Sequence, residues 1–147
     1  MFISDTNAMV DFSQQLFKAC ANGGVIFLNG NLGVGKTTLV RGFLQANNKN
    51  ERVRSPTYTL MEQYETDKFS VIHMDLYRLS DPEELEYLAV RELIDKNTLF
   101  LIEWPEKAGG YFKNVDLEIN IDYEKQGRRV ELIAHSEWAI KVKDSFQ

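Results

Sequence analysis

Gly30-Asn31-Leu32-Gly33-Val34-Gly35-Lys36-Thr37-Thr38 decides how the chain is read: a glycine, four residues, then Gly-Lys-Thr. This spacing fits a phosphate-binding loop. Glycines let such a loop turn several backbone N–H groups toward a phosphate chain. A side chain at Gly33 or Gly35 would block the approach or forbid the positive φ angles it needs. Lys36 supplies a point charge for the β- and γ-phosphates, and the Thr37 hydroxyl is a donor for Mg²⁺. The flanks agree with the loop. Val25-Ile26-Phe27-Leu28 is a short apolar run suited to a buried parallel strand. Behind Thr38, the residues Leu39, Val40, Phe43 and Leu44 recur at helical spacing. Strand, loop and helix in this order would set a phosphate chain at a helix N-terminus, where the dipole favours anions.

The second continuous apolar run is Thr98-Leu99-Phe100-Leu101-Ile102, which ends in Glu103-Trp104-Pro105. In open α/β sheets ligands bind beyond the carboxyl ends of the strands. Glu103 would therefore emerge beside the phosphate loop, as a carboxylate on the metal side. A Glu that merely ended a buried strand would be costly. Trp104 could belong to the core or cover the site.

Around these runs the remaining elements fall into place. Met9, Phe12, Leu16, Ala19 and Cys20 form an apolar stripe, so a first helix is expected, capped by Ser4 or Asp5, with Thr6 near its start and Asn22-Gly23-Gly24 at its end. Tyr58 to Tyr64 and Phe69 to Tyr77 read as strands of a hairpin joined by Glu65-Thr66-Asp67-Lys68. Alternation puts His73, Asp75 and Tyr77 on one side of the second strand, where they could share a site. No other His or Cys lies near His73 with metal-ligand spacing, so an ordinary hydrogen-bonding role is the simpler reading of that residue. Ser55-Pro56-Thr57 is either a loop sensing a γ-phosphate or a turn that opens a strand.

Ser80-Asp81-Pro82-Glu83-Glu84 reads as a helix start, with Leu85, Leu88 and Ala89 on the buried face. Its carboxylates are explained by dipole compensation. Val115 to Tyr123 alternates as a half-exposed antiparallel strand. Glu124-Lys125-Gln126-Gly127 turns it into a strand from Arg129 to Ala134. Arg128 and Arg129 at that turn are either a solvated pair or a nucleotide contact. Trp138 to Phe146 reads as a terminal helix packing through Ile140 and Val142.

The whole-chain numbers set bounds. At 147 residues the chain is expected to be one domain, residues 1–147, with a sizeable core. A net charge of −5 argues against a strong sequence-independent grip on nucleic acid. Cys20 is the only cysteine, so no internal disulfide can form and a reducing, cytoplasmic setting fits. No apolar stretch reaches the ~20 residues of a membrane span, so no membrane role is expected.

Gly30 to Thr38, Ser55 to Tyr58, His73 to Arg78, Asp81-Pro82-Glu83-Glu84-Leu85 and Ile102-Glu103-Trp104-Pro105, in that order, closely resemble the TsaE (YjeE) family of small bacterial P-loop ATPases. The resemblance spans about residues 5 to 135. It implies a P-loop NTPase-type, three-layer α/β fold with a mixed parallel and antiparallel central sheet. It implies ATP and Mg²⁺ as cofactors and slow hydrolysis. It also implies a role in making threonylcarbamoyladenosine in tRNA beside the TsaB–TsaD complex, with tRNA met indirectly through that complex.

Carried over residue by residue, the likeness gives the nucleotide Asn31, Leu32, Gly33, Val34, Gly35, Lys36, Thr37 and Thr38. Thr6 and Arg128 would contact it away from the triphosphate. Thr37 and Glu103 would coordinate Mg²⁺, Asp75 would act near the γ-phosphate or its attacking water, and Lys36 would complete the catalytic set. Trp104 would lie near the site. Asn31 and Val34 stand where the family often has Asp and Ala; the first change removes a charge beside the phosphates.

Two other classes compete. A GTPase needs a guanine-reading Asn-Lys-x-Asp, and Asn48-Lys49-Asn50-Glu51 lacks the Asp. A small-molecule P-loop kinase is the better rival, but the arginines are scattered and form no evident lid.

Overall fold

The computed structural model describes residues 1–95 and 97–147. The apolar runs become the centre of a sheet. Among the described residues, seven strands are ordered β1-β7-β6-β2-β5-β4-β3. Strand β2 (Gly24–Asn29) lies parallel between β5 (Thr98–Glu103) and β6 (Leu117–Glu124), and β4 (Ser70–Asp75) extends the parallel set beyond β5. Antiparallel wings flank this centre. On one side β3 (Met61–Glu65) pairs with β4; on the other, β7 (Gly127–Ala134) pairs with β6, and β1 (Phe2–Ile3) with β7.

Both faces of the centre are covered, which is why β2 and β5 read as unbroken apolar runs. Ile26, Leu28, Leu99 and Leu101 face a core shared with Leu16 of α1 (Thr6–Ala19), Leu39 and Phe43 of α2 (Lys36–Gln45), and Val142 of α5 (Glu137–Asp144). Val25, Phe100 and Ile102 face a second core with Leu85, Val90 and Phe112. Burying each such Leu or Phe is worth about 1.5–3 kcal/mol. The layers are therefore helices, sheet, and shorter helical turns.

Helix α1 starts where expected: Asp5 Oδ1 accepts a hydrogen bond from the Ala8 N–H at 2.8 Å. At its far end Lys68 Nζ donates to the carbonyls of Phe17 and Cys20 at 2.8 and 2.9 Å, satisfying orphan acceptors with a cation at the negative end of the dipole. Helices α1 and α2 cross closely at Gly42, where a Cβ would stand 2.9 Å from that of Ser13.

Six local expectations are corrected. The first hairpin strand begins at Met61, not Tyr58, because Leu60 takes φ 67° and donates its N–H to the Pro56 carbonyl at 2.8 Å, closing a turn. Its partner ends at Asp75, so Tyr77 lies outside the strand. The helix after Ser80 is two single turns, α3 (Glu84–Tyr87) and α4 (Val90–Leu93), because Ala89 sits between them at φ 54°. Strand β6 is antiparallel only to β7; its other neighbour, β2, runs parallel. Strand β7 begins at Gly127, so Arg128 and Arg129 belong to the strand and project from opposite faces. In α5 the packing comes from Ala139 and Val142, while Ile140 is half exposed.

Among the described residues no helix is long and apolar enough to cross a membrane.

Candidate functional site

The phosphate loop leaves β2 at Asn29 and enters α2 at Lys36. Gly33 and Gly35 take φ 79° and 122°, the left-handed region that non-glycine residues avoid. Gly30 is glycine for a different reason. A Cβ there would stand 2.7 Å from the Ile121 carbonyl oxygen of β6, so the loop's first residue is pressed against the neighbouring strand. Asn31 lies exposed at the outer turn and accepts the Val34 N–H at 3.1 Å.

Beyond the loop, β4 and β5 deliver the two carboxylates. Asp75 and Glu103 are register partners at the carboxyl ends of adjacent parallel strands. Both are almost wholly buried. Asp75 Oδ1 accepts the Tyr77 N–H at 3.0 Å and Oδ2 accepts the Thr57 hydroxyl at 3.4 Å. Ser55 and Thr57 hydroxyls are themselves 2.7 Å apart. The Pro56 segment is a turn ahead of β3, and it brings the Ser55 and Thr57 side chains to the cavity. Glu103 Oε2 lies 2.6 Å from His73 Nε2. Of the three side chains expected to share a site, His73 reaches Glu103 and Asp75 lines the cavity. Tyr77 packs against Trp104 with ring centroids 5.0 Å apart.

Lys36 points back along the loop, its Nζ donating to the Gly30 carbonyl at 2.6 Å and lying 3.8 Å from the centre of the Trp104 ring. Trp104 therefore covers the site with a half-buried ring that also packs against the second core. It does so from a left-handed backbone, φ 57°, just where β5 ends; such strain in a non-glycine residue is characteristic of functional positions. Burial pushes the Lys36 ammonium pKa below its usual value, against the pull of Glu103, Asp75 and Glu106.

These groups converge on one cavity of about 290 Å³, lined by Leu32, Gly33, Gly35, Lys36, Thr37, Thr38, Ser55, Thr57, Asp75, Glu103 and Trp104. Its donor set is oxygen-rich, which suits a hard cation. Among the described residues no group of three or more His, Cys, Asp or Glu side chains forms a ready metal cage. Mg²⁺ usually needs none, because phosphates and water complete its shell.

A second cavity of about 390 Å³ lies on the other side of the loop and shares Gly33, Gly35 and Thr38 with the first. Thr6, Met9, Val34, Gln126 and Arg128 line it. Arg128 is not one of a solvated pair. Its Nε donates to the Val34 carbonyl at 2.7 Å, and its guanidinium lies 4.3 Å from the Tyr123 ring centre. It braces the loop from β7. Arg129, by contrast, is solvated, 3.8 Å from Glu124.

Sequence reasoning missed the His73–Glu103 bond, the Lys36–Trp104 stack and the brace on Val34. Each joins residues far apart in the chain. Only the alternation of His73 with Asp75 gave a usable signal.

Strand, glycine loop and helix, with carboxylates at the ends of the adjoining parallel strands, define an α/β protein of the P-loop type. The family model described as "Threonylcarbamoyl adenosine biosynthesis protein TsaE" matches residues 3–130. The chain belongs to the TsaE family. It is 44% identical over 122 residues to the tRNA threonylcarbamoyladenosine biosynthesis protein TsaE of Haemophilus influenzae, covering 83% of this chain and 77% of that protein. It is 36% identical over 127 residues to the protein of the same name from Aquifex aeolicus, 85% of each. The fold matches the crystal structure of Bacillus subtilis YdiB with a TM-score of 0.73 at 21% identity, over 99% of this chain and 92% of that one.

Proposed function

We propose that this chain binds ATP with Mg²⁺ and hydrolyses it slowly, as an accessory to threonylcarbamoyladenosine formation in tRNA, working with a TsaB–TsaD complex. The observation that carries the reading is the convergence of Lys36, Thr37, Asp75 and Glu103 on one cavity at the carboxyl ends of β2, β4 and β5. The loop N–H groups and the start of α2 would cradle the phosphates, and Lys36 would turn from the Gly30 carbonyl to the β- and γ-phosphates. Thr37 and Glu103 would hold Mg²⁺, which when bound neutralises charge on the same phosphates. Asp75 would orient the attacking water and take up its proton as phosphate departs from ADP. Thr6 and Arg128, in the second cavity, would meet the nucleoside. The net charge of −5 supports contact with tRNA through the partner complex rather than alone.

A small-molecule kinase is the alternative. Phosphate release from ATP without any acceptor, dependent on Mg²⁺ and raised by TsaB–TsaD, is the expected result. Lys36→Ala should abolish it along with nucleotide binding. Phosphate transfer to an added small molecule, with none released to water, would favour the kinase. Equal ATPase rates for Lys36→Ala and the parent would remove the phosphate-loop reading.

A further inference from the structure

His73 has no part in the chemistry assigned above, yet the fold places it directly behind Glu103, which lines the cavity. Its side chain is fully buried, one strand over from Glu103 and diagonal to it, since His73 pairs in register with Leu101. The same sheet face is otherwise built from Val71, Leu99 and Leu101, all in the α1–α2 core. An imidazole there is costly unless it is hydrogen-bonded, and an aliphatic side chain would serve packing better. Among the described residues its one side-chain bond is to Glu103 Oε2, at 2.6 Å, and the other ring nitrogen, Nδ1, is buried without a partner. A carboxylate only accepts, so Nε2 is the donor of this pair.

The consequence falls on Glu103. A glutamate at a strand end has three side-chain torsions to lose. Oε2 is engaged by His73, whereas Oε1 accepts no hydrogen bond from the described residues, and the carboxylate lines the cavity with Thr37. We propose that His73 is a positioning residue, whose Nε2–H fixes the Glu103 rotamer and leaves Oε1 as the oxygen offered to a divalent cation beside Thr37. This rests on the reading of Glu103 and Thr37 as the metal-side pair. It follows the general pattern in which a ligating carboxylate is held by an outer hydrogen bond.

The test compares the Mg²⁺ concentration that half-saturates its effect on nucleotide binding with nucleotide affinity in the absence of Mg²⁺. Binding is followed by calorimetry on the full chain at one pH. His73→Phe keeps the ring volume and removes the donor; His73→Gln keeps a donor nitrogen near the place of Nε2. His73→Phe should raise the Mg²⁺ requirement by about 10- to 100-fold, the usual effect of losing an outer-shell partner. Affinity without Mg²⁺ should stay within about twofold, and His73→Gln should restore the requirement to within about threefold. Should the Phe variant fail to fold, His73→Asn, polar but too short to reach Oε2, replaces it with the same expected split.

An unchanged Mg²⁺ requirement overturns the proposal, as does an equal loss of affinity without Mg²⁺ or a folded Gln variant that rescues nothing. Glu103→Gln is the reference. If it leaves the Mg²⁺ requirement unchanged, the metal-side reading itself falls. If it raises the requirement while His73→Phe does not, only the positioning role is refuted.

Discussion

Arg128→Ala tests whether the phosphate loop is held from the sheet or only touched by its nucleotide. The Arg128 Nε donates to the Val34 carbonyl at 2.7 Å, and Val34 is itself 1% exposed, so the bond braces a buried segment of the loop. Hydrogen bonds to a charged group are worth about 1.5–3 kcal/mol, and removing the donor also strands the acceptor. A chain of 147 residues unfolds with an entropy of about 0.3 kcal/mol/K near its midpoint. A loss of about 2 kcal/mol therefore lowers Tm by roughly 6 °C, in the absence of any nucleotide. The assay is thermal unfolding of the nucleotide-free chain, beside nucleotide affinity for the same variants. Arg128→Lys should recover only part of the loss, because an ammonium cannot keep both the Val34 bond and the stack on Tyr123. A nucleotide-free Tm equal to the parent's, with affinity alone reduced, would refute the brace and leave Arg128 as a ligand contact only.

Asp75→Ala should separate binding from turnover. Loss of a water-orienting carboxylate costs about 10²-fold in rate, or roughly 2.7 kcal/mol, while affinity stays within a few-fold; parallel losses of both would move Asp75 to the binding shell. Cys20 is fully buried, and burial pushes its thiol up to about 12, with Lys68 opposing. Native protein at pH 8 should therefore resist a thiol reagent that labels the urea-unfolded chain at once, and rapid native labelling would contradict the burial. Between the ordinary thiol value of 9.0 and about 12 the folded state binds more protons than the unfolded one. The Cys20 contribution to stability should accordingly be complete below that window and fall as pH rises through it, measured by urea unfolding of the parent against Cys20→Ala.

What could be read beforehand followed from local chemistry. Val25 to Leu28 and Leu99 to Ile102 announce doubly covered strands because each side chain enters one core or the other. Gly33 and Gly35 announce their loop because their positive φ angles favour glycine, and Lys36 because a phosphate chain needs a cation there. The errors came where a single backbone angle overrode propensity. Tyr58 and Thr59 favour strand, but Leu60 at φ 67° closes a turn; Ala89 favours helix, yet at φ 54° it ends one. In the site, Lys36, Thr37, Asp75 and Glu103 were legible as types at strand and helix ends. The groups that orient them were not, because His73 meets Glu103 thirty positions along the chain and Arg128 meets Val34 ninety-four away.

The parallel seat of β2 has a consequence for how the protein is made. The strand that launches the phosphate loop pairs with residues Leu99–Glu103 on one side and Leu117–Asn120 on the other. During synthesis, β2, the loop and α2 leave the ribosome long before either neighbour exists. Such non-local pairing is slow to form and leaves apolar strand surface open meanwhile. Ile26 and Leu28 stay without sheet partners until the β5 and β6 segments have emerged. A nascent chain stalled before Leu117 carries every residue of the Gly30–Thr38 motif and still lacks the β6 backbone against which Gly30 is pressed. Nucleotide binding should thus arise late and all at once, as a property of the closed sheet rather than of the motif.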